Sequence, residues 1–213
     1  MSRQLSRIAV LATLCAAPLF ALTTASHADS LTTLFAGPNG AAGNMFDLTA
    51  TQNLTINSFA INLTTGTIAN VAVYFKAGTF VGFESAAASW TLVGTQNGVV
   101  SNGSDVPTPL DVPDFSLSAG QTYGLYVVTT DTTDINYTNG ANVFNNANLS
   151  FSGGIGKTYG TNGFDGDTFS PRTWNGTVNY TLSAVAVPEA STFALALPAL
   201  GMVGAVLIKR RKK

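Results

Sequence analysis

Residues 29–186 alternate short apolar runs with clusters of Gly, Asn, Asp and Pro. Within the runs, apolar residues recur at every second position, and no window keeps a helical period. This pattern is typical of β-strands joined by tight turns. Along residues 122–129 both alternating faces are apolar, which predicts a central strand that is covered on both sides.

Several segments carry more specific predictions. Residues 54–63 change phase near Asn57 and Ser58, which indicates a β-bulge. The pair Asn97-Gly98 predicts a two-residue hairpin turn. Residues 153–172 contain six Gly, so we expect a long loop there. Residues 174–182 alternate cleanly enough to predict one last strand.

We count nine or ten strands by this reading, more than one flat sheet of this size would hold. The sequence therefore predicts an all-β fold, an antiparallel β-sandwich with a jelly-roll-like arrangement. The 29–186 segment has a length expected for one domain.

The first 28 residues have the organisation of a signal peptide. Arg3 and Arg7 precede an apolar stretch at 8–22, and Ser26-His27-Ala28 places small residues around a cleavage site before Asp29. The alternative is an uncleaved N-terminal anchor, which the short apolar run disfavours. We expect the mature chain to be exported.

The last 27 residues, 187–213, have three parts in order. A short polar motif contains Val187, Pro188 and Glu189, and an uncharged apolar run follows at 193–208. In lipid such a run must satisfy its own backbone groups, so it predicts a single transmembrane helix. The chain ends in five consecutive cations, which favour a cytoplasmic location for this end: Lys209, Arg210, Arg211, Lys212 and Lys213.

This tail resembles the PEP-CTERM sorting signal of exported bacterial proteins. The resemblance covers the tail alone, and Pro188 and Glu189 fall on the central pair of the family's motif. Ala190 stands where the family's motif usually has a second proline. The resemblance implies recognition by an exosortase at the inner membrane, followed by delivery to the cell surface or an exopolysaccharide matrix. The alternative is a plain C-terminal anchor helix.

Charge and residue types exclude several functions for the domain. It has ten carboxylates against three cations, Lys76, Lys157 and Arg172, which leaves about −7 and argues against nucleic acid as a partner. The chain's one Cys and one His, Cys15 and His27, both lie in the predicted signal peptide. The mature domain thus lacks a thiolate nucleophile, an imidazole base and Cys/His zinc ligands. We expect no cofactor.

The candidate site residues are few. Asp165 and Asp167 flank a Gly and are oxygen ligands suited to Ca²⁺, but such a triplet is more often a turn. Of the aromatic residues, Trp174 shares a phase with strand residues and is expected in the core. Tyr137 and Tyr159 fall in predicted loops and are the candidates for an exposed sugar platform.

The sequence favours a non-enzymatic exported protein, anchored by its C-terminal helix with the domain outside the cytoplasm. The second hypothesis is a carbohydrate-binding module for exopolysaccharide. The third is a carboxylate-dependent enzyme acting on glycans, which would need two facing carboxylates. No pair of carboxylates in the sequence stands out for that role.

Overall fold

The computed structural model describes residues 27–37 and 39–183. Within them it has fourteen strands and one short 3-10 helix, Ala87–Ser89. The strands are β1 Ala28–Thr32, β2 Asn39–Ala41, β3 Gly43–Ala50, β4 Leu54–Asn62, β5 Ile68–Ala77, β6 Thr91–Val100, β7 Pro107–Leu110, β8 Phe115–Leu117, β9 Thr122–Thr129, β10 Ile135–Asn139, β11 Val143–Asn145, β12 Leu149–Lys157, β13 Thr168–Trp174 and β14 Gly176–Leu182.

Two predicted segments fall largely outside the described residues. Of the signal peptide at 1–28, only His27 and Ala28 are described, and the whole of 187–213, with its sorting motif, apolar run and basic end, is not. Among the residues that are described, no helix has the length and apolar character needed to cross a membrane.

The strands form two sheets in which each neighbouring pair of strands is antiparallel. The small sheet has five strands in the order β1-β14-β4-β7, with β8 also beside β4. The large sheet has nine, in the order β2-β10-β13-β12-β3-β9-β5-β6, with β11 also beside β12. The prediction of an all-β antiparallel sandwich is confirmed.

The main core lies between the two sheets. From the large sheet, alternate residues of β3 such as Phe46 and Leu48 point inward, and from the small sheet Phe59 and Tyr180 do the same. The Trp174 indole packs flat on the Phe46 ring with centroids 4.8 Å apart. Because strand side chains alternate between faces, one apolar face per strand is enough to fill this core.

A second apolar cluster covers the outer face of the large sheet. Tyr126 and Val128 of β9 point into it, whereas their neighbours Leu125 and Val127 point into the main core. The cluster is completed by side chains from two loops that fold over the sheet, namely Phe80 and Trp90 from the 78–90 loop and Phe164 from the 158–167 loop. Strand β9 lies between β3 and β5, so the predicted central, doubly covered strand is confirmed.

Two predictions about local irregularities have opposite outcomes. The bulge near Asn57 and Ser58 is confirmed, because the β4–β14 register shifts there. The hairpin at Asn97-Gly98 is wrong. Gly98 instead lies inside β6, where its φ of +67° and its N–H bond to the Asn70 side chain form a bulge opposite β5.

The predicted long loop at 153–172 is mostly strand. β12 continues to Lys157 and β13 starts at Thr168, which leaves 158–167 as the loop. Two Gly residues of β12, Gly153 and Gly154, pack closely against neighbouring backbone. A Cβ on Gly154 would lie 1.7 Å from the Met45 carbonyl oxygen of the neighbouring strand.

The predicted single strand at 174–182 is two strands in different sheets. β13 ends at Trp174 in the large sheet, and β14 starts at Gly176 in the small one. Thr33 fastens this crossing, since its hydroxyl donates to the Trp174 carbonyl at 2.7 Å and accepts the Gly176 N–H at 2.9 Å. The alternation continues through the crossing, which is why the sequence pattern does not reveal it.

Both ends of the described domain lie at one end of the sandwich. Ala28 pairs with Thr181, and the Ser183 N–H donates to the Asn53 carbonyl in the turn between β3 and β4. We call this the tail end. β3 extends from the tail end, at Ala50, to the opposite end of the sandwich, where its Gly43 pairs with Val128 of β9.

We predict that Gly154→Ala destabilises the domain strongly, by about 1–3 kcal/mol or more, because the added methyl group overlaps backbone. Gly156→Ala is the matched control two positions along β12, where the nearest atom to an added Cβ is 3.5 Å away, on the Arg172 side chain. Urea unfolding followed by tryptophan fluorescence measures both. Equal stability of the two variants would contradict the close packing of β12 against β3.

Candidate functional site

A groove with two clefts lies on the outer face of the large sheet, at the end opposite the tail end. The aromatic cleft has a volume of about 290 Å³ and its side chains include Asp134, Tyr137, Tyr159, Phe169 and Arg172. The threonine cleft has a volume of about 330 Å³ and its lining includes Thr129, Thr130, Asp131, Thr132, Thr161 and Asn162. The two clefts share Ala42 and Tyr159.

Tyr159 lies where the two clefts meet, and its hydroxyl is fixed from both sides. The hydroxyl oxygen is 2.5 Å from Asp134 Oδ1 and 3.0 Å from the Thr132 carbonyl oxygen, so its single proton is shared between two acceptors, with the shorter bond to Asp134. Burial of the phenol and the bond to Asp134 both raise the pKa of Tyr159, so it stays a neutral donor. The residue is still 43% exposed, so its ring is held in place and accessible.

Arg172 is the cation of the aromatic cleft. Its guanidinium carbon lies 5.3 Å from the Tyr137 ring centroid and 5.9 Å from that of Phe169, a cation–π arrangement that fixes the side chain. Nη1 donates to the Pro171 carbonyl, while the buried Nε has no hydrogen-bond partner among the described residues. Because Nε is buried, the donors that Arg172 can offer a ligand are the N–H groups of Nη1 and Nη2 that the Pro171 carbonyl does not accept.

The structure brings Tyr137 and Tyr159 to the same cleft, but in different roles. Tyr137 lies in β10, not in a loop, and is only 9% exposed, so it forms the wall behind Arg172. Phe169, at 44% exposure, is the second open ring. Sequence reasoning missed Phe169 and Arg172 as site residues because pairing of β10 with β2 and β13 is what brings these segments together.

Asp165 and Asp167 belong to the 158–167 loop that borders the groove. The Asp165 carboxylate accepts the Asn162 N–H, and this bond is the main reason that its pKa is lowered. The Asp167 N–H donates to the Thr158 hydroxyl at 2.7 Å. These bonds are those of a braced turn. Over residues 27–37 and 39–183, no group of three or more His, Cys, Asp or Glu is arranged to hold a metal ion.

Lys157 and Tyr126 hold the same loop from beneath. The buried Lys157 ammonium donates to the Gly166 carbonyl at 2.5 Å and to the Thr168 hydroxyl at 3.1 Å, and desolvation lowers its pKa. The Tyr126 hydroxyl donates to the Gly163 carbonyl at 2.5 Å. The loop that carries Tyr159 is thereby tied to the sheet at several points.

The two Trp residues of the domain, Trp90 and Trp174, are structural. Trp174 is fully buried in the main core. Trp90 is buried in the outer cluster, and its indole N–H donates to the Phe83 carbonyl at 2.9 Å. Tyr159 and Phe169 are the two exposed rings of the aromatic cleft, and the partly buried Tyr74 also lines the threonine cleft.

Comparison with known proteins adds little to this geometry. No protein-family model matches the chain. No curated protein matches it either. Among solved structures, it is similar to a chain of the infectious bursal disease virus Gx strain at 15% identity, covering 85% of this chain and 48% of that one, with a TM-score of 0.21. A chain of the Gt strain is 14% identical, with 85% of this chain and 49% of that one covered and a TM-score of 0.22. The chain spans about half the length of these viral chains, and TM-scores this low carry no argument.

Asp131, beside the threonine cleft, generates a prediction about acid stability. Burial raises the pKa of its carboxyl group, but the N–H groups of Asn70 and Thr133, at 2.6 and 2.9 Å, outweigh burial and leave the pKa lowered. A lowered folded-state pKa stabilises the fold above the unfolded value of 3.8, and that contribution is lost as pH falls through the folded value. We predict that Asp131→Asn lowers the free energy of unfolding at pH 7 and has a smaller effect below pH ~3.

Urea unfolding between pH 2 and 7 measures this effect. Asp111→Asn, at an exposed Asp on the edge of the small sheet, is the control and should leave the curve close to that of the parent. An Asp131→Asn effect that does not change with pH would contradict the assigned bonds.

Proposed function

We propose that this chain is an exported, non-enzymatic surface or matrix protein that is sorted through its C-terminal tail. The domain is a β-sandwich of jelly-roll-like type, and the tail's motif, apolar run and basic end act together as a PEP-CTERM-like signal. An exosortase would read Pro188 and Glu189 while the 193–208 helix anchors the chain in the inner membrane. The order of the three parts at the end of the chain carries this proposal.

The placement of the domain's two ends supports it. The predicted signal-peptide cleavage before Asp29 falls in β1, and the Asp29 carboxylate accepts bonds from Ser30 N–H, Tyr180 hydroxyl and Asn148 side chain at 2.8 to 3.0 Å. The new N-terminus would therefore start on an anchored residue. Because Ser183 leaves from the tail end, an anchor there points the groove away from the membrane.

The residue types also favour a non-enzymatic role. The segment 29–186 contains neither Cys nor His, so thiol or imidazole catalysis has no residue to use. In the groove, Asp131 is occupied by two backbone N–H groups and Asp134 by the Tyr159 hydroxyl. Neither is placed as the free acid or base of a glycan-cleaving pair.

Carbohydrate binding is the second candidate function, and the aromatic cleft favours it. Sugar rings offer apolar faces and hydroxyl groups, and the cleft offers the exposed rings of Tyr159 and Phe169 beside a donor, Arg172, and an acceptor, Asp134. Clefts that combine aromatic walls with a few polar groups are the usual form of small-ligand sites. An exopolysaccharide would be the partner at the cell surface.

The sorting proposal predicts that replacing Pro188 and Glu189 with Ala stops removal of the tail. The reason is that the exosortase would lose the two residues it recognises, while the apolar run still anchors the chain. Mass spectrometry of the C-terminus of the mature protein measures this. Ser191→Ala with Thr192→Ala is the matched control and should still be processed. Unchanged cleavage of the Pro188/Glu189 variant would refute the motif's role.

The carbohydrate candidate predicts that residues 29–186 are retained on an exopolysaccharide resin and released by soluble polymer. A matched resin without polysaccharide controls for non-specific adsorption. Retention by no polysaccharide in a broad panel would remove this candidate without affecting the sorting proposal.

A further inference from the structure

The two clefts adjoin at a single fixed ring, and this arrangement fits a chain better than an isolated sugar. We propose that the groove binds the interior of a neutral polysaccharide, with consecutive sugar rings in the two clefts and the Tyr159 ring beneath the linkage between them. This inference rests on the carbohydrate-binding candidate and names its ligand class.

Size and fixation are the first argument. The aromatic and threonine clefts have volumes of about 290 and 330 Å³, near the lower end of the range for small-ligand pockets. Each cleft therefore suits one sugar ring, and the two together suit consecutive rings of a polysaccharide. The Tyr159 hydroxyl is bonded to Asp134 on the side of the aromatic cleft and to Thr132 on the side of the threonine cleft. A ring fixed from both sides loses little conformational entropy when a ligand stacks on it.

The hydrogen-bonding groups are the second argument. In the aromatic cleft, Arg172 has N–H groups on Nη1 and Nη2 beyond the one bonded to the Pro171 carbonyl, and the Asp134 carboxylate keeps acceptor capacity beyond its bond from Tyr159. The threonine cleft adds hydroxyl and amide groups from Thr132, Thr161 and Asn162. These donors and acceptors complement sugar hydroxyls, which both donate and accept.

Charge is the third argument, and it selects a neutral polymer. The domain carries about −7, and the groove itself is lined by Asp131 and Asp134. Arg172 is the single cation among the side chains lining the two clefts, and it is opposed by these carboxylates. A uronic-acid polymer would therefore meet net repulsion, which costs affinity and slows association. A neutral polymer meets no such penalty.

The experiment uses the full chain in a detergent without a sugar headgroup. Affinity electrophoresis measures its retardation by two neutral polymers, a β-glucan and a galactomannan, and by two acidic ones, alginate and polygalacturonate. We expect retardation by at least one neutral polymer and not by the acidic ones. A tetrasaccharide of the binding polymer should compete at concentrations where the monosaccharide does not.

Three variants test the groove itself. Tyr159→Ala should weaken binding roughly tenfold through loss of stacking. Tyr159→Phe should weaken it less, because it keeps the ring and loses the hydroxyl bonds. Arg172→Ala should weaken it by a similar factor. Asp114→Asn is the control, because Asp114 accepts a bond from Asn57 near the small sheet, away from the groove. Unfolding curves check that each variant folds.

The outcomes that would overturn the inference can be told apart from one another. Stronger retardation by the acidic polymers, or equal competition by monosaccharide, would end the neutral-chain inference and leave carbohydrate binding intact. Binding that none of the three groove variants changes would place the site elsewhere. Retardation by no polymer would remove both the inference and the carbohydrate candidate, while the C-terminal mass of the mature protein would still test sorting independently.

Discussion

The packing of Trp174 on Phe46 holds the sandwich together where the chain passes from one sheet to the other. The indole closes the core at the crossing, and Gly176 leaves room for it, because a Cβ there would lie 2.1 Å from the ring. Thr33 bonds to both sides of the crossing. The fully buried indole thus lies where β13 of the large sheet passes into β14, which pairs with β1 and β4 in the small sheet.

The domain's three cations show how the outer face is organised. Lys76 donates to the Ala77 and Thr79 carbonyls and packs over the Phe83 ring, so it fastens the 78–90 loop. Lys157 does the same for the 158–167 loop through Gly166 and Thr168. Arg172 remains, with its guanidinium near the Tyr137 and Phe169 rings and Nη N–H groups that no described residue accepts. Two cations serve the fold, and the third is available to a ligand.

The two-residue period was sufficient to predict the doubly covered β9 and the bulge in β4, because each is a property of one strand's own alternation. The all-β sandwich followed from the number of such strands, which is too large for one flat sheet. Prediction failed at Asn97-Gly98, where the local turn signal serves a bulge, and at Trp174–Gly176, where the alternation runs through a change of sheet. The groove was only partly predictable. Tyr159 could be named from its loop, but Asp134 and Arg172 meet it only through long-range strand pairing, which no local pattern encodes.

The antiparallel course of β14, from the groove end at Gly176 to the tail end at Leu182, has a mechanical consequence for a tethered protein. Tension between a polymer held at one end and an anchor at the other would run along this strand. Its hydrogen bonds to β1 and β4 lie across that direction, so they would be loaded together in shear instead of opening one after another. In the proposed cell-surface attachment, the fold would thus resist pulling along this strand.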